Sequence, residues 1–259
     1  GAEGLEMRRG RSPYGTWKEV PEVPSAQDAK EEWFLEVFSG EAGITLAIKD
    51  GRYSTLPPID IEVAGGVQSA TDIHDPAVRH KIDDWIKAGA VKLVHFGTPC
   101  TTYSSARKFD GGPPPLRSHD HPKGLPGIAG RLRERLEEGT DFLRITLEII
   151  AKVREEGADW TLENPLSSIM WSDPDVKVMA KEASAKWVIM DLCAFGAESR
   201  KPTMILASSS AFARLARSCP GVTRSHKHVA LKGKIWDSRK RRMVYRTRKA
   251  QVYPRLLCR

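Results

Sequence analysis

The sequence predicts an α/β domain built on a mainly parallel β-sheet. Apolar runs of strand length alternate along the chain with segments of helical periodicity, and the runs end at small or polar residues. Of the 259 residues, 40% are hydrophobic and 29% are charged. This balance is that of a globular protein and excludes a mostly disordered chain or a collagen-like fibre. No apolar run approaches the ~18 residues of a membrane helix, so we expect no membrane as a partner.

Each element follows from a local pattern. Short apolar runs predict strands over 33–38, 59–63, 91–96, 160–162, 187–190 and 203–207. A first helix is expected over 44–49, where Gly51 ends it. A second helix starts at Asp75 and Pro76, a favourable cap followed by proline at the first helical position, and it ends at Gly89. A third is expected over about 141–156, where apolar residues recur at helical spacing.

Composition divides the chain into three regions. Residues 1–31 lack periodicity and are expected to form an N-terminal arm or linker. Residues 32–210 form the principal domain, and 211–259 form a short basic region. Within the principal domain, residues 106–138 are rich in glycine and proline near their start, and we expect a mobile loop there.

The net charge of +8 comes entirely from the end of the chain. Residues 224–259 hold thirteen Lys or Arg and one acid, so they carry +12 and leave −4 for the remainder. A basic stretch of this density attracts phosphates through counterion release. We therefore expect a nucleic-acid partner, with a solvated surface segment or a localisation signal as the alternatives.

Cysteine usage points to a reducing compartment. The four cysteines form no CxxC pair and are too scattered for a disulfide scaffold, so the sequence predicts no structural metal site; they are Cys100, Cys193, Cys219 and Cys258. His226 and His228 lack partners at zinc-finger spacing. No basic-then-apolar signal segment is visible at the start. We therefore expect a soluble intracellular protein, nuclear in a eukaryote; the sequence leaves the oligomeric state open.

Candidate chemistry lies at the ends of the predicted strands, because ligands of parallel sheets bind beyond their carboxyl ends. The small-residue turn after Phe38 lets a ligand approach the backbone, and Glu62 lies where an acid can accept from ribose hydroxyls. Cys100 follows a strand in a polar loop, as a nucleophile would. Glu163 ends an apolar strand, where burial favours the protonated carboxyl that a proton donor needs.

The order of these motifs resembles the DNA cytosine-5 methyltransferase family over residues 33–207. The resemblance implies a Rossmann-like methyltransferase fold and S-adenosyl-L-methionine as cofactor, with S-adenosyl-L-homocysteine as product. It implies cofactor contacts from Phe38, Ser39, Gly40, Gly43, Glu62, Asp72, Ile73 and Pro99. It also implies catalytic roles for Cys100 as nucleophile, Glu163 at the base nitrogen and Arg200 at the base carbonyl.

The resemblance implies methyl transfer to C5 of a flipped cytosine in DNA, through a thiolate adduct. Three alternatives stay open. The same chemistry on RNA is one, because the region after Thr203 is short for a recognition domain. A catalytically inactive nucleic-acid-binding module is another, because Ala42 and Thr101 depart from the family pattern. A Cys–His hydrolase with His95 as base is the most distant, since no orienting third residue can be named.

Overall fold

The structure, a computed structural model, describes residues 32–61, 72–105, 113–231, 233–237, 241–247 and 252–258. The strands in these ranges are β1 (Trp33–Val37), β2 (Ser54–Thr55), β3 (Val91–Phe96), β4 (Asp159–Pro165), β5 (Lys186–Asp191), β6 (Pro202–Ala207), β7 (Lys234–Asp237) and β8 (Arg242–Tyr245). The α-helices are α1 (Gly43–Asp50), α2 (Pro76–Lys87), α3 (Gly130–Glu155) and α4 (Pro174–Glu182). The predicted N-terminal arm, 1–31, lies outside the described residues.

Six strands form one sheet in the order β2-β1-β3-β4-β6-β5. The pairs β1–β2, β1–β3 and β3–β4 are parallel, whereas β6 is antiparallel to both β4 and β5. This mainly parallel sheet confirms the predicted Rossmann-like α/β fold. The reversal at β6 has a geometric cause, because residues 192–201 are too few for the helical crossover that a parallel neighbour requires.

Helix α2 matches its prediction closely. The Asp75 side chain caps it by accepting a hydrogen bond of 2.9 Å from the Ala77 N–H, and proline occupies the first turn. The apolar residues predicted to share one face are all buried: Val78, Ile82, Trp85 and Ile86. They join the core between the sheet and the helices α2 and α3. Among the described helices, none combines the length and apolarity needed to cross a lipid bilayer.

Three expectations about elements are corrected. Helix α3 starts at Gly130, not near residue 141, so residues 130–138, expected to belong to a mobile loop, are helical; Leu136 is buried there and Arg133 pairs with Glu137 one turn on. Of the strand expected over 59–63, the described residues 59–61 contribute only a bridge from Ile59 to Val37, and the two-residue β2 pairs with β1. Helix α4 and the hairpin of β7 and β8 were not predicted from the sequence.

Candidate active site

The turn between β1 and α1 has a strained backbone. Phe38, Gly40 and Ala42 have positive φ angles of 57°, 54° and 52°. Glycine adopts this region freely, but phenylalanine and alanine do so at a cost, and such strain concentrates at ligand sites. The Ile59 carbonyl holds the turn by accepting hydrogen bonds from the backbone N–H groups of Phe38 at 2.7 Å and Ser39 at 3.2 Å.

A cavity of about 800 Å³ opens beside this turn. Its volume lies within the range of small-molecule sites. Phe38, Ile73 and Phe142 supply apolar walls. The Phe142 ring meets the Phe38 ring edge-on with centroids 5.4 Å apart, and it lies 4.7 Å from the His74 ring. The aromatic cluster forms a surface on which a flat ring can pack.

Three carboxylate side chains line the same cavity, those of Asp60, Asp72 and Glu138. Asp60 accepts a hydrogen bond of 2.9 Å from the Gly40 N–H, which ties it to the strained turn. Asp72 accepts one of 2.9 Å from the His74 N–H. Carboxylate oxygens can accept further hydrogen bonds from hydroxyl groups. Asp60 was missed from the sequence, which favoured Glu62 two positions later; Glu62 lies outside the described residues.

The structure places five of the eight predicted cofactor residues on this cavity: Phe38, Gly40, Asp72, Ile73 and Pro99. Ser39 is buried behind the turn, and its Oγ makes no hydrogen bond to any described residue. Gly43 begins α1 on the side of Cys258, where an added Cβ would lie 3.7 Å from the sulfur. Whether these residues bind a cofactor stays a prediction.

Cys100 lies in the loop after β3, and Glu163 lies near the end of β4, the neighbouring parallel strand. The Asn164 side-chain amide joins the loop to the strand by donating a hydrogen bond of 2.8 Å to the Thr98 carbonyl. Cys100 is half-buried, is not in a disulfide, and starts a turn closed by a 3.0 Å hydrogen bond from the Tyr103 N–H to its carbonyl.

Glu163 is buried in a polar setting that the sequence did not reveal. Its Oε2 accepts a hydrogen bond of 3.1 Å from the Tyr253 hydroxyl, and Lys201 Nζ lies 3.7 Å from its Oε1. Oε1 accepts no hydrogen bond from any described residue, although it is buried. The ammonium of Lys201 offsets the charge of the buried carboxylate. Tyr253 lies far from Glu163 in the sequence, so no local sequence pattern predicts this contact.

Two more titratable residues are buried behind Glu163, on neighbouring strands in parallel register: Glu36 and His95. Burial lowers the pKa of His95 to about 4, and its ring nitrogens lie 2.8 Å from Thr161 Oγ1 and 3.0 Å from the Tyr253 hydroxyl. Burial raises the pKa of Glu36 to about 7, against the lowering effect of hydrogen bonds from Thr45. His95 is therefore neutral and orients Tyr253, which does not favour the hydrolase alternative.

Arg200 lies next to another carboxylate. Its Nε is 3.2 Å from Asp191 Oδ1, its Nη2 is 3.5 Å from Oδ2, and its side chain is 57% exposed. Lys201 is the neighbouring cation that the structure brings to Glu163. The predicted contact of Arg200 with a substrate base stays a prediction.

The described part of the predicted loop is anchored by one buried arginine. The Arg117 guanidinium donates hydrogen bonds to the carbonyls of Pro122 and Leu136, both at 2.8 Å, and to Thr140 Oγ1 at 2.9 Å. It also lies 3.9 Å from the centre of the Tyr103 ring. Arg117 thus fixes the segment before α3 to the turn that carries Cys100. Residues 106–112 of that loop lie outside the described residues.

The β7–β8 hairpin brings the basic region to the cavity. Met243, Val244 and Tyr245 contribute to the cavity wall. Trp236 and Tyr245 are 58% and 51% exposed, and Lys234 Nζ lies 5.1 Å from the Tyr245 ring centre. Exposed aromatic rings beside cations are a surface on which bases stack and phosphates pair.

A scan against protein-family models and a search of curated proteins found no match for this chain. A search of solved structures found similar chains. The S. pombe Dnmt2 methyltransferase is 12% identical with a TM-score of 0.39, over 68% of this chain and 50% of that one. The Entamoeba histolytica methyltransferase EhMeth is 11% identical with a TM-score of 0.41, over 79% and 58%.

A Spodoptera frugiperda DNMT2 mutant is 13% identical with a TM-score of 0.42, over 78% of this chain and 56% of that one. The match therefore spans little more than half the length of these proteins. The three similar structures are methyltransferases, the class of enzyme that the ordered motifs resemble.

Proposed function

We propose that this protein transfers a methyl group from S-adenosyl-L-methionine to C5 of cytosine in DNA. The observation that carries the proposal is the hydrogen bond from Asn164 to the Thr98 carbonyl, because it holds the Cys100 loop against the strand that ends in Glu163. Pro99 extends this arrangement, since it precedes the nucleophile and lines the adjacent cavity. A nucleophile, an acid and a ligand cavity on one sheet edge suit group transfer between two bound molecules.

The side chains that line the cavity are chemically suited to an adenosyl cofactor. The Phe38, Ile73 and Phe142 side chains offer packing surface to a purine ring. Asp60 and Asp72 offer carboxylate acceptors to ribose hydroxyls. When bound there, the cofactor supplies an electrophilic methyl group.

Cys100 makes the substrate carbon nucleophilic. Its thiolate adds to C6 of cytosine, the S–C6 bond forms, and the electron pair of the C5–C6 double bond becomes available at C5. C5 then bonds to the methyl carbon, whose bond to the sulfonium sulfur breaks. Loss of the C5 proton to a base or water returns an electron pair that expels the thiolate. The product is 5-methylcytosine, with S-adenosyl-L-homocysteine and a proton.

Glu163 stabilises the ring during the addition. Its Oε1 accepts no hydrogen bond from any described residue, so it can accept one from protonated N3 of the base. The Tyr253 hydroxyl donates to Oε2 and fixes the orientation of the carboxyl group. Lys201 Nζ, 3.7 Å from Oε1, offsets the negative charge of the carboxylate. Arg200 is proposed to reach the base carbonyl by leaving Asp191.

A DNA partner is supported by the basic end of the chain. Residues 224–259 carry +12, and the described hairpin within them exposes Trp236 and places Tyr245 at the cavity wall. The base must leave its stack to reach Cys100, at a cost of a few kcal/mol. Aromatic stacking and phosphate contacts from this region offset that cost.

A mechanism-based trap tests the chemistry. Duplex DNA with 5-fluorocytosine cannot lose a proton from C5, so the enzyme is expected to remain covalently bound to it in a denaturing gel when the cofactor is added. Cys100→Ser should give no adduct, whereas Cys258→Ser should retain it, because Cys258 lies beside Gly43 at the start of α1 and not in the turn that carries Cys100. An adduct that persists in Cys100→Ser would refute the assignment.

A parallel assay with labelled cofactor compares duplex DNA with transfer RNA. Methyl transfer to DNA is the expected result. Transfer confined to RNA would establish the RNA alternative, and no transfer to either with retained nucleic-acid binding would establish the inactive module.

A further inference from the structure

Four ligand-type side chains meet beside Asp191, the partner of Arg200, outside the proposed active site. They are Cys193, Cys219, His226 and His228, and their ligand atoms all lie within 4.8 Å of one another. Cys219 Sγ is 3.6 Å from His226 Nε2 and 3.5 Å from His228 Nε2, and the two Nε2 atoms are 3.0 Å apart. We propose that these residues form a structural Zn²⁺ site of the Cys₂His₂ type.

The separations among the ligand atoms of Cys219, His226 and His228 are those of a tetrahedral zinc shell. With Zn–S bonds of about 2.3 Å and Zn–N bonds of about 2.05 Å, a tetrahedron separates sulfur from nitrogen by about 3.5–3.6 Å and nitrogen from nitrogen by about 3.3 Å. The observed separations of 3.5, 3.6 and 3.0 Å follow this pattern. Two thiolates and two imidazoles select zinc over the oxygen-seeking magnesium and calcium ions. Four protein ligands leave no open position, which indicates a structural role.

The backbone around the cluster is arranged to support it. The Gly221 N–H donates a hydrogen bond of 3.3 Å to Cys219 Sγ and so orients the sulfur. A turn fixes His226, because its N–H donates to Thr223 Oγ1 at 3.0 Å and its carbonyl accepts from the Thr223 N–H at 2.9 Å. Cys193 is held in the 3-10 helix Leu192–Phe195, directly after β5. The ligands thus come from two segments that a metal would join.

The position of the proposed zinc site indicates its role in the fold. A bound ion would link the start of the basic region to the end of β5, beside Asp191. The Asp191 carboxylate accepts a hydrogen bond of 2.8 Å from the Cys219 N–H and also pairs with Arg200. The Val229 N–H donates to the Glu198 carbonyl at 2.8 Å, so the segment after His228 is tied to the loop before Arg200.

Metal analysis of the full chain tests the site. The purified protein should contain a single zinc ion, and Co²⁺ in its place should show tetrahedral d–d bands and thiolate-to-cobalt charge transfer. Cys193→Ser and His226→Ala should lose most of the metal. The double variant His119→Ala/His121→Ala removes an equally spaced His-x-His pair elsewhere and should keep the full content.

A further variant distinguishes loss of a metal ligand from loss of folding. Cys219→His keeps four ligands, so it should still bind Co²⁺ with weaker charge transfer, because one sulfur has been replaced by nitrogen. Absence of zinc and cobalt from the folded protein would overturn the proposal. Metal content unchanged in Cys193→Ser would also overturn it, as would a Cys193–Cys219 disulfide in place of metal in the protein purified in air without reductant.

Discussion

Replacing Glu36 with glutamine isolates the effect of a carboxyl group buried under the proposed active site. Glu36 is fully buried, and its Oε2 accepts hydrogen bonds from the Thr45 N–H at 2.8 Å and Oγ1 at 2.5 Å. Glutamine preserves the shape and an acceptor oxygen but cannot ionise. The variant therefore removes the penalty of a buried negative charge and little else.

The size and sign of the effect follow from the pKa. Burial raises the pKa of Glu36 from 4.5 to about 7, and each pKa unit corresponds to about 1.4 kcal/mol. Below pH 4.5 the group is protonated in both folded and unfolded chains, so wild type and Glu36→Gln should be nearly equal in stability. Between pH 4.5 and about 7 the unfolded chain ionises first, and the wild type loses about 3 kcal/mol relative to the variant.

The assay is urea unfolding of both proteins across this pH range. The difference between their free energies of unfolding is the informative quantity, because His95 acts in the opposite direction. Burial lowers its pKa from 6.5 to about 4, so the neutral ring gives stability that is present above pH 6.5 and lost as the pH falls toward 4. Glu155→Gln, at an exposed position of α3, should show no such trend. A difference curve for Glu36→Gln that stays flat with pH would refute the reasoning.

Three further substitutions test specific contacts. Tyr253→Phe removes the hydroxyl between Glu163 and His95 and should destabilise the fold by about 1–3 kcal/mol in urea unfolding while slowing methyl transfer. Arg117→Lys keeps the charge but loses the planar set of donors, so at least about 2 kcal/mol of unfolding free energy should be lost. Asp75→Ala removes the cap of α2 and should lower the melting temperature, with a loss of about 1 kcal/mol.

Each of these substitutions has a matched control at an exposed site. Tyr245→Phe removes a hydroxyl from a half-exposed ring, Arg133→Lys changes an arginine whose ion pair is exposed, and Asp50→Ala removes an aspartate at the end of α1. Losses of unfolding free energy as large in the controls as in the test variants would contradict the assignments.

Most of the strands and helices could be predicted in their correct order from local sequence patterns. Helix α2 could be placed because a cap, a proline and four apolar residues at helical spacing are all local features. Strands β1 and β3 were equally clear, since their apolar runs end at glycine or serine. The strand over 59–63 was misplaced because a two-residue strand such as β2 leaves no periodicity to detect.

The site residues that could be predicted from the sequence are those near the ends of the strands. Parallel strands align their carboxyl ends, so once β3 and β4 paired, Cys100 just after β3 and Glu163 near the end of β4 had to lie at the same end of the sheet. The surroundings of Glu163 were not predictable in this way. Tyr253 reaches it from ninety residues further along the chain, a contact that leaves no trace in local spacing.

The sequence by itself determined the fold class, the charged end of the chain and the candidate nucleophile and acid. Tertiary structure alone decided which polar groups are buried together. Cys193 and Cys219 belong to no short metal-binding motif, yet the end of β5 and the basic region bring them to two histidines. Contacts between residues far apart in the sequence depend on how the strands and loops pack in space. Burial and charge compensation are set by the distance between atoms, not by separation along the chain.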